Sequence, residues 1–159
     1  MKTFTDTKSR TWTIELTIDS AKRVRSLLSV NLLELEAGDP PLLTRLGTDV
    51  ILLLDVIYCM VKPEADKLSV TDEDFGRALG GDAILAAQTA FYEELADFFR
   101  SLRRTDMAKA IEAQRKVIDL AVQRIETRID KLDLANVVES TLGELSTSSP
   151  ASSESTPAR

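Results

Sequence analysis

The sequence predicts a mainly α protein, built as an N-terminal β-hairpin, a compact helical domain and a long C-terminal helix. Three observations predict it. Trp12, Ile14, Leu16 and Ile18 alternate with Thr13, Glu15 and Thr17, the period-two pattern of a half-buried strand. From about residue 20 onward the apolar residues recur three and four apart instead, the spacing of one helix face. That recurrence is sustained longest between Asp106 and Leu132, with charged residues on the other faces.

The elements run in this order. A short strand around Lys2–Thr5 pairs with the Trp12–Ile18 strand across the polar turn Asp6–Arg10. A first helix begins near Asp19 or Ser20, both good N-caps, and presents Val24, Leu27 and Leu28 on one side. Asn31–Asp39 carries a short helical stretch to Gly38, and Asp39-Pro40-Pro41 restarts the chain with Asp39 as cap. The next short helix holds Leu42, Leu43 and Leu46 and ends by Gly47. Thr48-Asp49 caps the central apolar helix Val50–Val61, which Pro63 stops. Glu64–Ser69 is a polar connection, and Val70-Thr71-Asp72-Glu73-Asp74 opens a helix with an acidic first turn. That helix ends at Gly80-Gly81, and Asp82 caps a longer one that buries Ile84, Ala87, Phe91, Leu95 and Phe98 and reaches Leu102.

After a joint at Arg100–Thr105, the long helix carries Met107, Ile111, Gln114, Ile118, Val122, Ile125, Ile129 and Leu132 at steps of four and three. This is a heptad seam with one extra four-residue step, a stutter. Asn136–Leu145 adds a last helical piece, and the Ser/Thr/Pro-rich end has no apolar anchor. The expected organisation is therefore hairpin plus helical domain over residues 1–104, a helical arm over 105–145 and a disordered tail over 146–159.

Composition bounds the function. With 43% hydrophobic and only 5% aromatic residues, the core must be mostly Leu, Ile, Val and Ala. A net charge of −6 disfavours nucleic acid as a main partner, because phosphate binding needs a cationic face. The basic clusters Lys22-Arg23-Val24-Arg25 and Arg100–Arg104 read as solvated helix faces and helix C-terminal charges. The apolar run Val50–Val61 is interrupted by Asp55 and is short of the ~18–20 residues that span a bilayer. With no apolar signal segment at the front, a soluble, cytoplasmic protein is expected.

The chemical inventory is thin. The chain has no histidine, which removes Ser-His-Asp and Cys-His nucleophilic systems and the usual general base near neutral pH. Cys59, the single cysteine, lies in the apolar run and reads as a buried, inert thiol. Gly80-Gly81 reads as a helix stop rather than a phosphate cradle, and Asp72-Glu73-Asp74 as dipole compensation rather than a calcium loop. Asp55 is the one carboxylate in an unusual setting: a polar edge of its helix, a buried partner for a basic residue such as Arg45 or Arg77, or a partner-binding contact. No catalytic, cofactor or metal residue is expected, and enzyme chemistry ranks last.

The order of elements resembles that of phage tail assembly chaperones. The resemblant residues are the Phe4–Ile18 strand pair, Ala21-Lys-Arg-Val-Arg-Ser-Leu-Leu, Asp39-Pro-Pro-Leu-Leu-Thr-Arg-Leu, the Val50–Val61 helix and Val70-Thr-Asp-Glu-Asp-Phe-Gly-Arg-Ala-Leu-Gly-Gly-Asp. They cover roughly residues 2–100. The resemblance implies a non-enzymatic chaperone that binds a tape-measure protein and recruits tail-tube subunits in the host cytoplasm, as a homo-oligomer with no cofactor. Other readings of the same residues are a structural or adaptor virion protein and a small helical dimeric regulator. Candidate partner contacts are Ile111, Ile118, Val122, Ile125 and Ile129 on the seam, with Thr13 and Thr17 on the strand pair.

Overall fold

A computed structural model of the chain describes residues 1–146, so the tail expected at 146–159 lies, from residue 147 on, outside the described residues. The fold is mainly α, with an N-terminal hairpin, a helical domain and a long C-terminal helix. The hairpin is β1 (Lys2–Thr5) and β2 (Thr11–Ile14), and the helices are α1 (Ile18–Leu28), α2 (Leu42–Thr48), α3 (Val50–Lys67), α4 (Asp72–Arg77), α5 (Asp82–Ser101) and α6 (Thr105–Ser146). Two compact units divide the chain, Met1–Ile118 and the part from Asp119 on, so the boundary falls inside α6.

Asp6 builds the hairpin turn. Its carboxylate accepts from the Lys8 and Arg10 backbone N–H groups at 2.9 and 3.0 Å, from Arg10 Nε at 2.7 Å and from Trp12 Nε1 at 2.9 Å. The antiparallel register places Phe4 opposite Trp12 and Thr3 opposite Thr13, which puts Phe4, Trp12 and Ile14 inward. Those rings meet Phe75 of α4: Trp12 lies edge-on at 5.3 Å and Phe4 at 6.4 Å. Thr7 fastens the turn to the helical domain, its N–H and Oγ1 both donating to the Ala78 carbonyl, at 3.0 and 2.9 Å.

The alternation beyond Ile14 ends differently from the sequence expectation. Leu16 is still buried, but Ile18 is exposed and already helical. Thr17 is the reason: it caps α1, accepting from the Ser20 N–H at 3.2 Å while Ser20 Oγ accepts from the Thr17 N–H at 2.9 Å. The cap therefore sits two or three residues ahead of the expected Asp19 or Ser20. Asn31–Gly38 forms successive turns rather than a helix, with Leu32 and Leu35 buried. Asp39 does not cap α2; the Asp39–Pro40 peptide is cis and Pro41 holds the cap position.

Asp49 caps α3 as expected, accepting from the Leu52 N–H at 3.0 Å. Pro63 does not stop α3, which continues to Lys67 and absorbs most of the expected polar connection. A proline removes the N–H that would bond the carbonyl four residues earlier, here that of Cys59. Arg23 Nη1 of α1 donates to that carbonyl at 3.2 Å instead. One side of α3 (Leu53, Val56, Ile57, Met60 and Val61) is buried, whereas Val50 and Ile51 at its start are exposed.

Thr71 caps α4 with a reciprocal Asp74 contact, and Gly81, not Asp82, stands ahead of α5 with φ +53°. α5 buries Ala87, Phe91, Leu95 and Phe99, while Leu102 beyond its end is exposed. Arg103, with φ 60°, turns the chain into α6. The first turns of α6 belong to the same core, since Met107, Ala108 and Ile111 are buried and Ile118 packs on it in part. Gln114, the polar member of the seam, sits over Gly47, where a Cβ would come within 2.4 Å of its Nε2. A side chain at residue 47 would require the glutamine amide to shift.

Candidate interaction site

The candidate partner contacts separate into two places. Thr13 and Thr17 line one shallow groove of about 520 Å³, with Glu64, Lys67 and Arg23 on its other side. Thr13 is half-buried, and its N–H donates to Glu64 Oε2 at 3.1 Å. Leu16, beyond the end of β2, donates its N–H to Glu94 Oε1 at 2.9 Å, and the Met1 amino group lies 2.5 Å from Glu94 Oε2. Two carboxylates, from α3 and α5, thus occupy the Thr13 and Leu16 amides, and Thr17 spends its side chain on the α1 cap.

The seam on α6 is divided by its surroundings. Ile111 is fully buried among residues of the first unit, and Ile118 is half-buried against them. Two ion pairs run beside this stretch, Arg115 to Glu93 at 3.0 Å and Arg100 to Glu112. Val122 is half-buried, and Ile125 and Ile129 are exposed. From Val117 to Leu142, nine large apolar side chains of the described residues are at least 50% exposed: Val117, Leu120, Ile125, Ile129, Leu132, Leu134, Val137, Val138 and Leu142. Covering what remains exposed would contribute on the order of 1–2 kcal/mol for each.

Sequence reasoning ended the seam at Leu132 and missed a further apolar row beyond it. Leu134, Val138 and Leu142 recur at steps of four on α6. At 100° per residue, Leu134 and Val138 stand roughly opposite the Val122–Leu132 row. The step of four was the available signal.

Burial shifts three further titratable groups, Cys59, Asp55 and Tyr92. Burial, with Asp55 and Asp72 nearby, pushes the Cys59 thiol up and away from reactive thiolate. Burial and the acidic neighbours Asp72 and Asp49 push the Asp55 carboxyl up, and Arg77 is engaged with Glu73 and Asp74 instead. Burial also pushes the Tyr92 hydroxyl up to about 12. Tyr92 lines a cavity of about 70 Å³ with Lys2, Asp97 and Arg115, room enough for water. Among the described residues no group of three or more Cys, Asp or Glu side chains could hold a metal ion, and no helix is long and apolar enough to cross a membrane.

Comparison of the chain with protein-family models, curated proteins and solved structures gives no match. This corrects the sequence reading where it went furthest: its phage-specific terms (phage tail assembly, tape measure, prophage and virion morphogenesis) have no matched relative behind them and rest on element order alone.

Proposed function

We propose that the chain is a non-enzymatic assembly chaperone that binds an amphipathic helical partner through the open apolar faces of α6. The observation that carries this reading is the row of nine exposed apolar side chains between Val117 and Leu142. An amphipathic helix lacking cover in its own unit is suited to helix-on-helix recognition, with anchors at three- and four-residue steps. Net negative charge supports it, since it keeps such a surface from non-specific association. The absence of histidine from the sequence supports a binding role over acid–base catalysis.

The resemblance in element order supplies the candidates to try, a tape-measure protein and a tail-tube subunit, in a cytoplasmic setting. The test is co-expression of the full chain with a long helical partner of that kind. The partner is expected to stay soluble and to co-purify with the chain, and to be lost when Leu134 and Val138, both exposed, are replaced by Asp. A partner equally soluble without the chain, or retained by the doubly substituted chain, would sink the reading.

A further inference from the structure

We infer that the exposed part of α6 pairs in parallel with the same helix of a second copy of this chain, an inference that rests on the reading of α6 as a binding helix. Val122, Ile125, Ile129 and Leu132 are spaced three, four and three apart, the a and d positions of a heptad, with Val122 and Ile129 at a. Ile125, Ile129 and Leu132 are half or more exposed, so the row is open in the single chain. β-branched residues at a, with Leu132 at one of the d positions, suit two strands. The next a position is Asn136, a polar residue of the kind that fixes register and strand number at some cost in stability.

The flanking charges choose the direction. The residues next after the d positions, Glu126 and Asp133, are both acidic, and those preceding the a positions are Ala121, Arg128 and Ala135. In a parallel pair the residue before an a position meets the residue after a d position five places further along the other helix. Arg128 then meets Asp133 of the second copy, and by symmetry the contact is made twice. In an antiparallel pair the acidic row faces itself, and Glu126 and Asp133 of the two copies repel. Charge complementarity therefore selects the parallel arrangement and the second copy as occupant. Leu134 and Val138 lie on the opposite side and stay open in such a pair.

The experiment uses the full chain. Light scattering after size exclusion is expected to give twice the chain mass. Arg128→Glu is expected to weaken the dimer about tenfold, and Arg128→Glu with Asp133→Arg to return it to within about twofold of the original. Ile129→Cys is expected to form a disulfide-linked dimer on mild oxidation, since identical a positions meet only in a parallel pair; the native Cys59 is buried and stays out of the reaction. A monomer, a trimer, a dimer that does not cross-link at residue 129, or a charge reversal without rescue would each overturn the inference. A labelled amphipathic Leu/Lys helical peptide, titrated by fluorescence anisotropy, separates this pairing from the chaperone function. A monomer that binds the peptide overturns the pairing alone, and a cross-linked dimer that binds none overturns the chaperone reading alone.

Discussion

Arg23 donates from Nη1 to the Cys59 carbonyl, and that carbonyl is the one Pro63 leaves without a helical donor. A second contact from the same nitrogen reaches the Met60 carbonyl at 3.3 Å, and Asp19 holds the guanidinium from its other side. A helix that should break at a proline continues for four more residues because a cation on α1 occupies the gap. The continued turn then buries Ala65 and brings Glu64 to the Thr13 amide.

This relationship sets the first prediction. Arg23→Ala should cost about 1–3 kcal/mol, the range for leaving a partly buried carbonyl bare. In a Pro63→Ala background, where the backbone N–H of residue 63 can bond the Cys59 carbonyl, the same change should cost less. Urea unfolding of the four proteins of this cycle measures the difference. Equal costs in both backgrounds would mean that Arg23 stabilises only through Asp19.

Asp6 sets the second. Burial raises its carboxyl, but the donors Trp12, Arg10 and Lys8 outweigh burial, and the net position lies below the ordinary 3.8. A carboxyl depressed on folding stabilises fully above its unfolded value, and that stability is lost as pH falls through the folded value. The chain should therefore lose stability below about pH 4 more steeply than Asp6→Asn, which should already be weaker by about 2–3 kcal/mol at pH 7. Unfolding midpoints compared from about pH 6 down to about pH 2.5 isolate this group. Parallel curves would place the hairpin's acid sensitivity elsewhere.

Signals local to a few residues were legible. The Asp49 cap, the Thr71–Asp74 cap with its acidic turn, and the Trp12–Ile14 alternation rest on neighbours in sequence, and short-range rules read them. Pro63 was misread because its compensation comes from Arg23, forty residues earlier, which no local rule sees. Asn31–Gly38 looked helical because Leu32 and Leu35 have an apolar spacing, yet turn bonds such as Glu34 N–H to the Asn31 carbonyl at 3.1 Å hold it. For the candidate site, the seam itself was visible. Its division into a covered part at Ile111 and an open part from Ile125 was not, because spacing is the same whatever covers it.

Tyr92 sets the third prediction. Its hydroxyl is buried without a protein partner among the described residues, and desolvation of the phenolate is what raises it. Removing an unsatisfied buried polar group while keeping the ring should be neutral or favourable. Tyr92→Phe should raise stability by up to about 1 kcal/mol in denaturant unfolding. A loss of similar size would show that the hydroxyl is bonded to water in the cavity beside Lys2 and Asp97.

The fourth prediction separates the two parts of α6. Trp12, the single tryptophan of the chain, is fully buried in the first unit and reports its unfolding. Ile111 lies in that same core, so Ile111→Asp buries a carboxylate without a partner and should cost at least about 3–5 kcal/mol. Ile125 and Ile129 are exposed, and replacing both by Asp removes no packing in the first unit. The tryptophan midpoint should then shift by less than about 0.5 kcal/mol, measured at a dilution where chains do not associate. Self-association at higher concentration should be lost at the same time, because two charges would enter an apolar seam. If the double substitution lowers the Trp12 midpoint as Ile111→Asp does, the helix beyond residue 118 contributes to the first unit's core, and its exposed row is not a surface for partners.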